Sequence, residues 1–138
     1  MKILRYLLDV AATYLIVQVT GLIAGFLALG LGPQHLLDGM VIGLMITIIP
    51  TVIYSFVYVA VIRLIAKPSS ALLTHIWVAV ILTLIVYVLH CVFFIKDTVS
   101  FTNLITWQTL ISCFIAASCA AVYLWMRSGR APSRMEDM

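Results

Sequence analysis

Few side chains in this chain could do chemistry, and their spacing brings almost none of them together. Asp9 is the only carboxylate inside the long apolar runs apart from Asp38, in the first turn of the second, and lies about two helical turns from the start of the first. A charge there is costly, which makes it a candidate proton or cation site; the plainer expectation is an interfacial carboxylate, wet or paired with Arg5 one turn away. His90 and His75 lie on one apolar run, about 22 Å apart if it is helical, too far to share a metal or a haem. His75 is expected at an interface, His90 in a hydrogen-bonded packing role, and His35 alone in a connection. Cys91, Cys113 and Cys119 form no CxxC pair and have no His or carboxylate at ligand spacing, so they read as small packing residues. No nucleophile, base and orienting group recur at a spacing that one element could assemble, so neither an enzyme nor a metal site nor a cofactor is expected.

The residues around these groups are overwhelmingly apolar. Hydrophobic side chains make up 64% of the chain and charged ones 9%, with a mean hydropathy of +1.20. A water-facing surface needs roughly a quarter to a third of its residues charged, so the solvent here is a bilayer. The net charge of +3 resides in short flanks and suits topogenic charge and anionic lipid; a nucleic-acid surface is not expected.

Four runs are long enough to cross a hydrocarbon core of about 30 Å. Helices are expected over residues 4–29, 36–64, 71–94 and 101–126, forming one transmembrane domain over 1–126, with a disordered polar tail over 127–138. Gly30, Gly32 and Pro33 punctuate the first connection, Lys67 and Pro68 the second, and residues 95–100 turn the chain over a third time. Ser69 or Ser70 could cap the third helix. Lys2, Arg5, Arg63, Lys67, Arg127, Arg130 and Arg134 then share one side, against Lys96 on the other. The expected fold is therefore an all-α integral membrane protein, an antiparallel bundle of four transmembrane helices with both termini cytoplasmic, most simply in a bacterial inner membrane. Trp77 and Trp125 are expected near the cytoplasmic interface and Trp107 near the opposite one.

Placed at about 100° per residue, the polar side chains share faces. Gly43, Thr47, Thr51, Tyr54 and Tyr58 form a stripe on the second helix; Thr83, Tyr87 and His90 one on the third; Gln108, Ser112, Ala116 and Cys119 one on the fourth. The first helix has two faces, one with Gln18, Gly21 and Gly25, the other with Asp9, Thr13 and Thr20. Gly21 to Gly25 and Gly39 to Gly43 are GxxxG patterns, which suggest close packing of helices one and two or a dimer contact. Pro50 sits mid-helix in a polar stripe and is the candidate hinge. The stripes either pack against one another or line a polar path for an ion or small solute.

Two function classes follow. The leading expectation is a non-catalytic protein acting through helix contacts with another membrane protein, as an accessory subunit or a toxin-immunity or exclusion factor. The other is a small homo-oligomeric transporter or channel. In layout the chain resembles the small multidrug-resistance transporters, which act as dimers. That family relies on a glutamate deep within its first helix, whereas no span here carries a glutamate and Asp9 lies near the edge of its span. The expected partners are lipid and either another membrane protein or further copies of this chain.

Overall fold

The computed structural model describes residues 1–30, 32–65, 71–94 and 107–129. Helix α1 runs Lys2–Leu29 and ends on Gly30, whose φ of 62° is left-handed and whose N–H reaches back to the Leu27 carbonyl. That conformation costs glycine nothing, so it stops the helix sharply. A 3-10 turn, Pro33–His35, then leads into α2, Leu36–Ile65. Proline is at home at the head of this turn, where its missing N–H has no helical partner to lose. Helix α2 continues through Pro50 without a break. Helix α3 runs Leu72–Phe94 and α4 runs Trp107–Gly129.

These bounds match the expected spans to within a residue or two, except for α4. The expected turn over 95–100, the start of the fourth helix at 101, the serine cap at Ser69 or Ser70, the flanking Lys67, Lys96, Arg130 and Arg134, and the Cys91 side chain lie outside the described residues. At its other end α4 extends to Gly129, so Arg127, expected to open the polar tail, is helical instead. Its guanidinium has partners inside the bundle, which give the last turn a reason to stay wound.

The fold is a ring of four helices in which α1 and α3 each pack against α2 and α4. Paired residues give the directions. Asp9, Gln18 and Leu22 of α1 meet Arg63, Thr47 and Gly43 of α2 in turn. On α4, Arg127, Ala116 and Ser112 meet Asp9, Gly21 and Gly25. Between α2 and α3, Tyr58 reaches His75 and Tyr54 reaches Ala79. Numbers rise along one helix as they fall along its neighbour, so the helices alternate up and down. Asp9, Arg63, His75 and Arg127 define one end of the bundle, hereafter the arginine end.

The distribution of residue types is inverted relative to a water-soluble bundle. Thr13, Gln18, Thr51, Ser55, His75 and Ser112 are buried, as are Ala79, Ala116, Ala117, Ala120 and Ala121. Leu15, Ile23, Leu27, Ile42, Met45, Ile53, Phe93 and Phe114 point outward and are exposed. Between lipid-immersed helices there is no hydrophobic driving force, so small side chains that allow close approach and groups that bond across the gap go inside. All four helices are long and apolar enough to cross a membrane, with mean hydropathies between 1.8 and 2.5. Trp77, Trp107 and Trp125 all stand on the outer surface.

Candidate functional site

The arginine end is held by one carboxylate and two guanidinium groups from three helices. Asp9 is 8% exposed; its Oδ2 accepts from Arg63 Nη2 at 2.6 Å, and its Oδ1 lies 2.8 Å from Arg127 Nε. The second contact is a charge contact without an aligned N–H hydrogen bond. Arg127 Nη1 also donates to the Tyr123 hydroxyl at 2.8 Å, one turn back on α4. The Arg63 guanidinium lies over the Tyr6 ring, 5.1 Å from its centre, and the Tyr6 hydroxyl donates to the Phe56 carbonyl. The Arg63 and Arg127 side chains are 37% and 40% exposed against 11% for Asp9, so the cations reach toward solvent while the anion is shut in.

This corrects the expected pairing of Asp9 with Arg5. Asp9 is instead held by Arg63 and Arg127, which arrive at its height on the two neighbouring helices. A same-helix pair on the surface is worth only a few tenths of a kcal/mol and cannot compete with a partner delivered in low dielectric.

Beneath the ion pair the interior is packed solid. Tyr58, Val59, Thr13, Ser55 and His75 are all under 2% exposed. The rings of Tyr54 and Tyr58 stack, 5.4 Å between centres at 12°, and their hydroxyls point to the carbonyls of Ala79 and His75 at 3.4 Å. His75, in the first turn of α3 at the arginine end, is buried beside Tyr58, with Nδ1 3.4 Å from the Ala71 carbonyl and Nε2 without a hydrogen-bond partner.

Above this floor, away from the arginine end, the bundle opens into a cavity of about 270 Å³ walled by all four helices. Helix α1 contributes Gln18, Gly21 and Gly25; α2 contributes Gly39, Gly43, Thr47, Pro50, Thr51 and Tyr54; α3 contributes Thr83 and Tyr87; α4 contributes Gln108, Ser112, Cys113 and Ala116. Gln108 is exposed and Gly39 and Tyr87 are half-buried, which marks the wide end; Thr51, Tyr54 and Ser112 are buried. Among the described residues no Asp, Glu, Lys, Arg or His lines it. Much of its hydrogen-bonding capacity is turned back on the helices: Thr47 donates to the Gly43 carbonyl at 2.7 Å, Thr83 to Ala79 at 2.7 Å, and Ser112 to Gln108 at 2.8 Å. Gln18 Nε2 donates across the α1–α2 seam to Thr47 Oγ1 at 2.7 Å.

The structure therefore brings together the polar-interior candidates Gln18, Thr47, Thr51, Tyr54, Tyr87 and Gln108, the packing candidates Gly21, Gly25, Gly39, Gly43, Ser112 and Ala116, and the hinge candidate Pro50. Three others lie elsewhere. Asp9 belongs to the closed end, Cys119 is half-buried on α4 beyond Ala116, and His90 is half-buried on α3 outside the lining. The expected close approach of α1 to α2 through both GxxxG patterns also changes. Gly43 does meet α1, since a Cβ there would come 2.9 Å from Leu22 Cδ2; Gly21 and Gly25 instead face Ala116 and Ser112 of α4, at 3.7 and 3.8 Å. Ser112 and Ala116 repeat at the same four-residue interval as the glycines, a small-xxx-small match legible in α4 once it is read against α1. Arg63 and Arg127 were expected only as flanking charges, yet together with Tyr6 and Tyr123 they close the arginine end.

Among the described residues no three His, Cys, Asp or Glu side chains gather where a metal could be held. No family model, no curated protein and no solved structure matches the chain, which leaves its own geometry as the ground for a functional reading.

Proposed function

We propose that the protein is a small integral membrane carrier that takes a small uncharged solute into the interior of its four-helix bundle. One observation carries this reading: a cavity walled by all four helices and floored, toward the arginine end, by stacked tyrosines and the Asp9 ion pairs. Sites for small molecules are concave and mostly apolar, with a few placed polar groups, and occur between the helices of bundles. Among the described residues the lining carries no charged side chain, which favours a neutral solute over an ion, whose desolvation those residues would not offset.

In this reading the arginine end is the gate. Asp9 ties α1 to both α2 and α4, so separating it from Arg63 or Arg127 loosens a seam of the floor. The excess of basic residues at that end favours its facing the cytoplasm, in a bacterial inner membrane. The other expectation, a helix surface offered to a partner protein, loses its main support because Gly21, Gly25 and Gly43 are turned into the bundle.

The test is sided thiol labelling of Thr51→Cys in a chain whose native cysteines are replaced by alanine, using a small methanethiosulfonate reagent that does not cross the bilayer. The carrier reading predicts reaction from the face opposite the arginine end alone, and from both faces once Asp9→Asn is added. Ile53→Cys, on the lipid-facing surface two residues away, is predicted to stay unreacted. No reaction at position 51 from either face, or equal reaction at 53, would sink the proposal.

A further inference from the structure

The cavity has a neighbour on the outside of the bundle. Helices α3 and α4 leave a groove of about 370 Å³ between them, whose lining includes Val80 and Leu84 of α3 and Leu110, Ile111 and Phe114 of α4. Leu84, Ile111 and Phe114 are exposed, so the groove belongs to the outer, apolar surface. Two further residues of the groove, Thr83 and Cys113, also line the interior cavity. At their height these two side chains are the wall between inside and outside. Thr83 is the middle residue of α3, Leu72–Phe94, about 16 Å from either end. The shared wall therefore lies at mid-span, where a bilayer holds no water.

The chemistry of this wall selects what passes it. Among the described residues the groove holds no charged side chain, and the Thr83 hydroxyl proton is donated to the Ala79 carbonyl at 2.7 Å. A solute that arrives here has given up its water and receives no charge in return, which admits only molecules at home in hydrocarbon. Size sets a second limit. A cavity of about 150 Å³ holds benzene, so one of about 270 Å³ holds a molecule of roughly eleven non-hydrogen atoms by the same scaling. Burial of its methylenes enriches a chain of about ten carbons in a bilayer over water on the order of 10⁵-fold. For such a molecule the bilayer, not the aqueous phase, is the supply.

Resting on the carrier reading, we infer that the α3–α4 seam at Thr83 and Cys113 is a side entrance through which the cavity is loaded from the bilayer, and that the solute is an uncharged lipophile of about ten carbons. The groove gathers the chain, Thr83 and Cys113 swing aside to admit it, and the small side of the cavity formed by Gly21, Gly25 and Ala116 receives it.

The probe is a phosphatidylcholine with a diazirine at the middle of one acyl chain, which reaches the protein only from the bilayer. The full chain in phosphatidylcholine vesicles is irradiated, and the insertion sites are mapped by mass spectrometry. The expected result is insertion at Thr51 and Ser112, which line the cavity and are buried in the bundle, as well as at the lipid-facing Ile53. Added 1-decanol, a free lipophile of the inferred class, is expected to abolish the interior insertion and spare Ile53. Filling the groove with Leu84→Trp and Phe114→Trp, both at exposed positions, is expected to do the same. Insertion that spares Thr51 and Ser112 in the unaltered chain overturns the side entrance, while the carrier reading is judged separately by water-side labelling at position 51. Interior insertion that 1-decanol leaves undiminished overturns the solute class, and insertion that survives filling the groove overturns the assignment of the entrance to this seam. The unaltered chain decides the first point even if the double variant fails to fold.

Discussion

At the scale of single residues, Asp9 shows how the interior of this apolar bundle handles a charge. Its carboxylate is buried, and two guanidinium groups reach it from other helices while keeping their outer faces near solvent. Removing one member of a fully buried pair costs about 3–5 kcal/mol, and exposed pairs contribute under about 1 kcal/mol. For Asp9→Asn we expect a loss between these limits, about 2–3 kcal/mol, because two half-exposed arginines would be left facing a neutral amide. Denaturant unfolding in mixed micelles measures it, and in a double-mutant cycle Asp9→Asn and Arg127→Gln should be strongly non-additive. Additive effects would mean that the 2.8 Å contact carries no energy. The cost of a charge in a span singled out Asp9 from sequence alone; its partners were not legible, because which arginine stands at its height depends on the connections between helices. The burial of His75 was not legible for a related reason: a helix apolar all round does not reveal which face turns inward.

At the scale of elements, α1 and α4 are matched by small residues in register. A Cβ added at Gly21 would stand 3.7 Å from the Ala116 Cβ, an ordinary van der Waals distance. Gly21→Ala should accordingly be tolerated and change stability by less than about 1 kcal/mol, since alanine also favours the helix. Gly21→Ile should cost about 1–3 kcal/mol by forcing α1 and α4 apart. The same micelle unfolding curves read both, and an isoleucine variant as stable as the parent would show that this face is not packed. The helical stripes were legible because polar groups avoid lipid and so betray an inward face at 100° per residue. The order of neighbours around the ring was not legible. Two GxxxG patterns suggested a glycine-to-glycine contact between α1 and α2, but glycine provides only a recess, and a recess is filled as well by Ser112 and Ala116. Pro50, the candidate hinge, lies inside a continuous helix and stands on the cavity wall, and its missing N–H withdraws the helical donor from the Ile46 carbonyl.

At the scale of the whole molecule, the two halves of the bundle differ in what fills them. Toward the arginine end, Tyr54, Tyr58, Val59, His75 and Leu124 occupy the axis. Toward the other end, the inward positions belong to Gly21, Gly25, Gly39 and Gly43, which have no side chain to place there, and a cavity of about 270 Å³ results. The inverted residue distribution, with alanines and hydroxyls inside and large apolar side chains outside, makes lipid the natural surroundings of such an assembly. The central claim is that the small and polar faces of α1 and α4 are turned toward each other around this hollow rather than outward to a partner. Its most direct test is oxidation of Gly25→Cys with Ser112→Cys in native membranes, in a chain whose other cysteines are replaced by alanine. A Cβ at Gly25 would lie 3.8 Å from Ser112 Oγ, so side chains at the two positions stand in van der Waals contact. The account predicts rapid formation of a bridge within one chain, with the mobility of a monomer. Bridges between chains, or none at all, would contradict it.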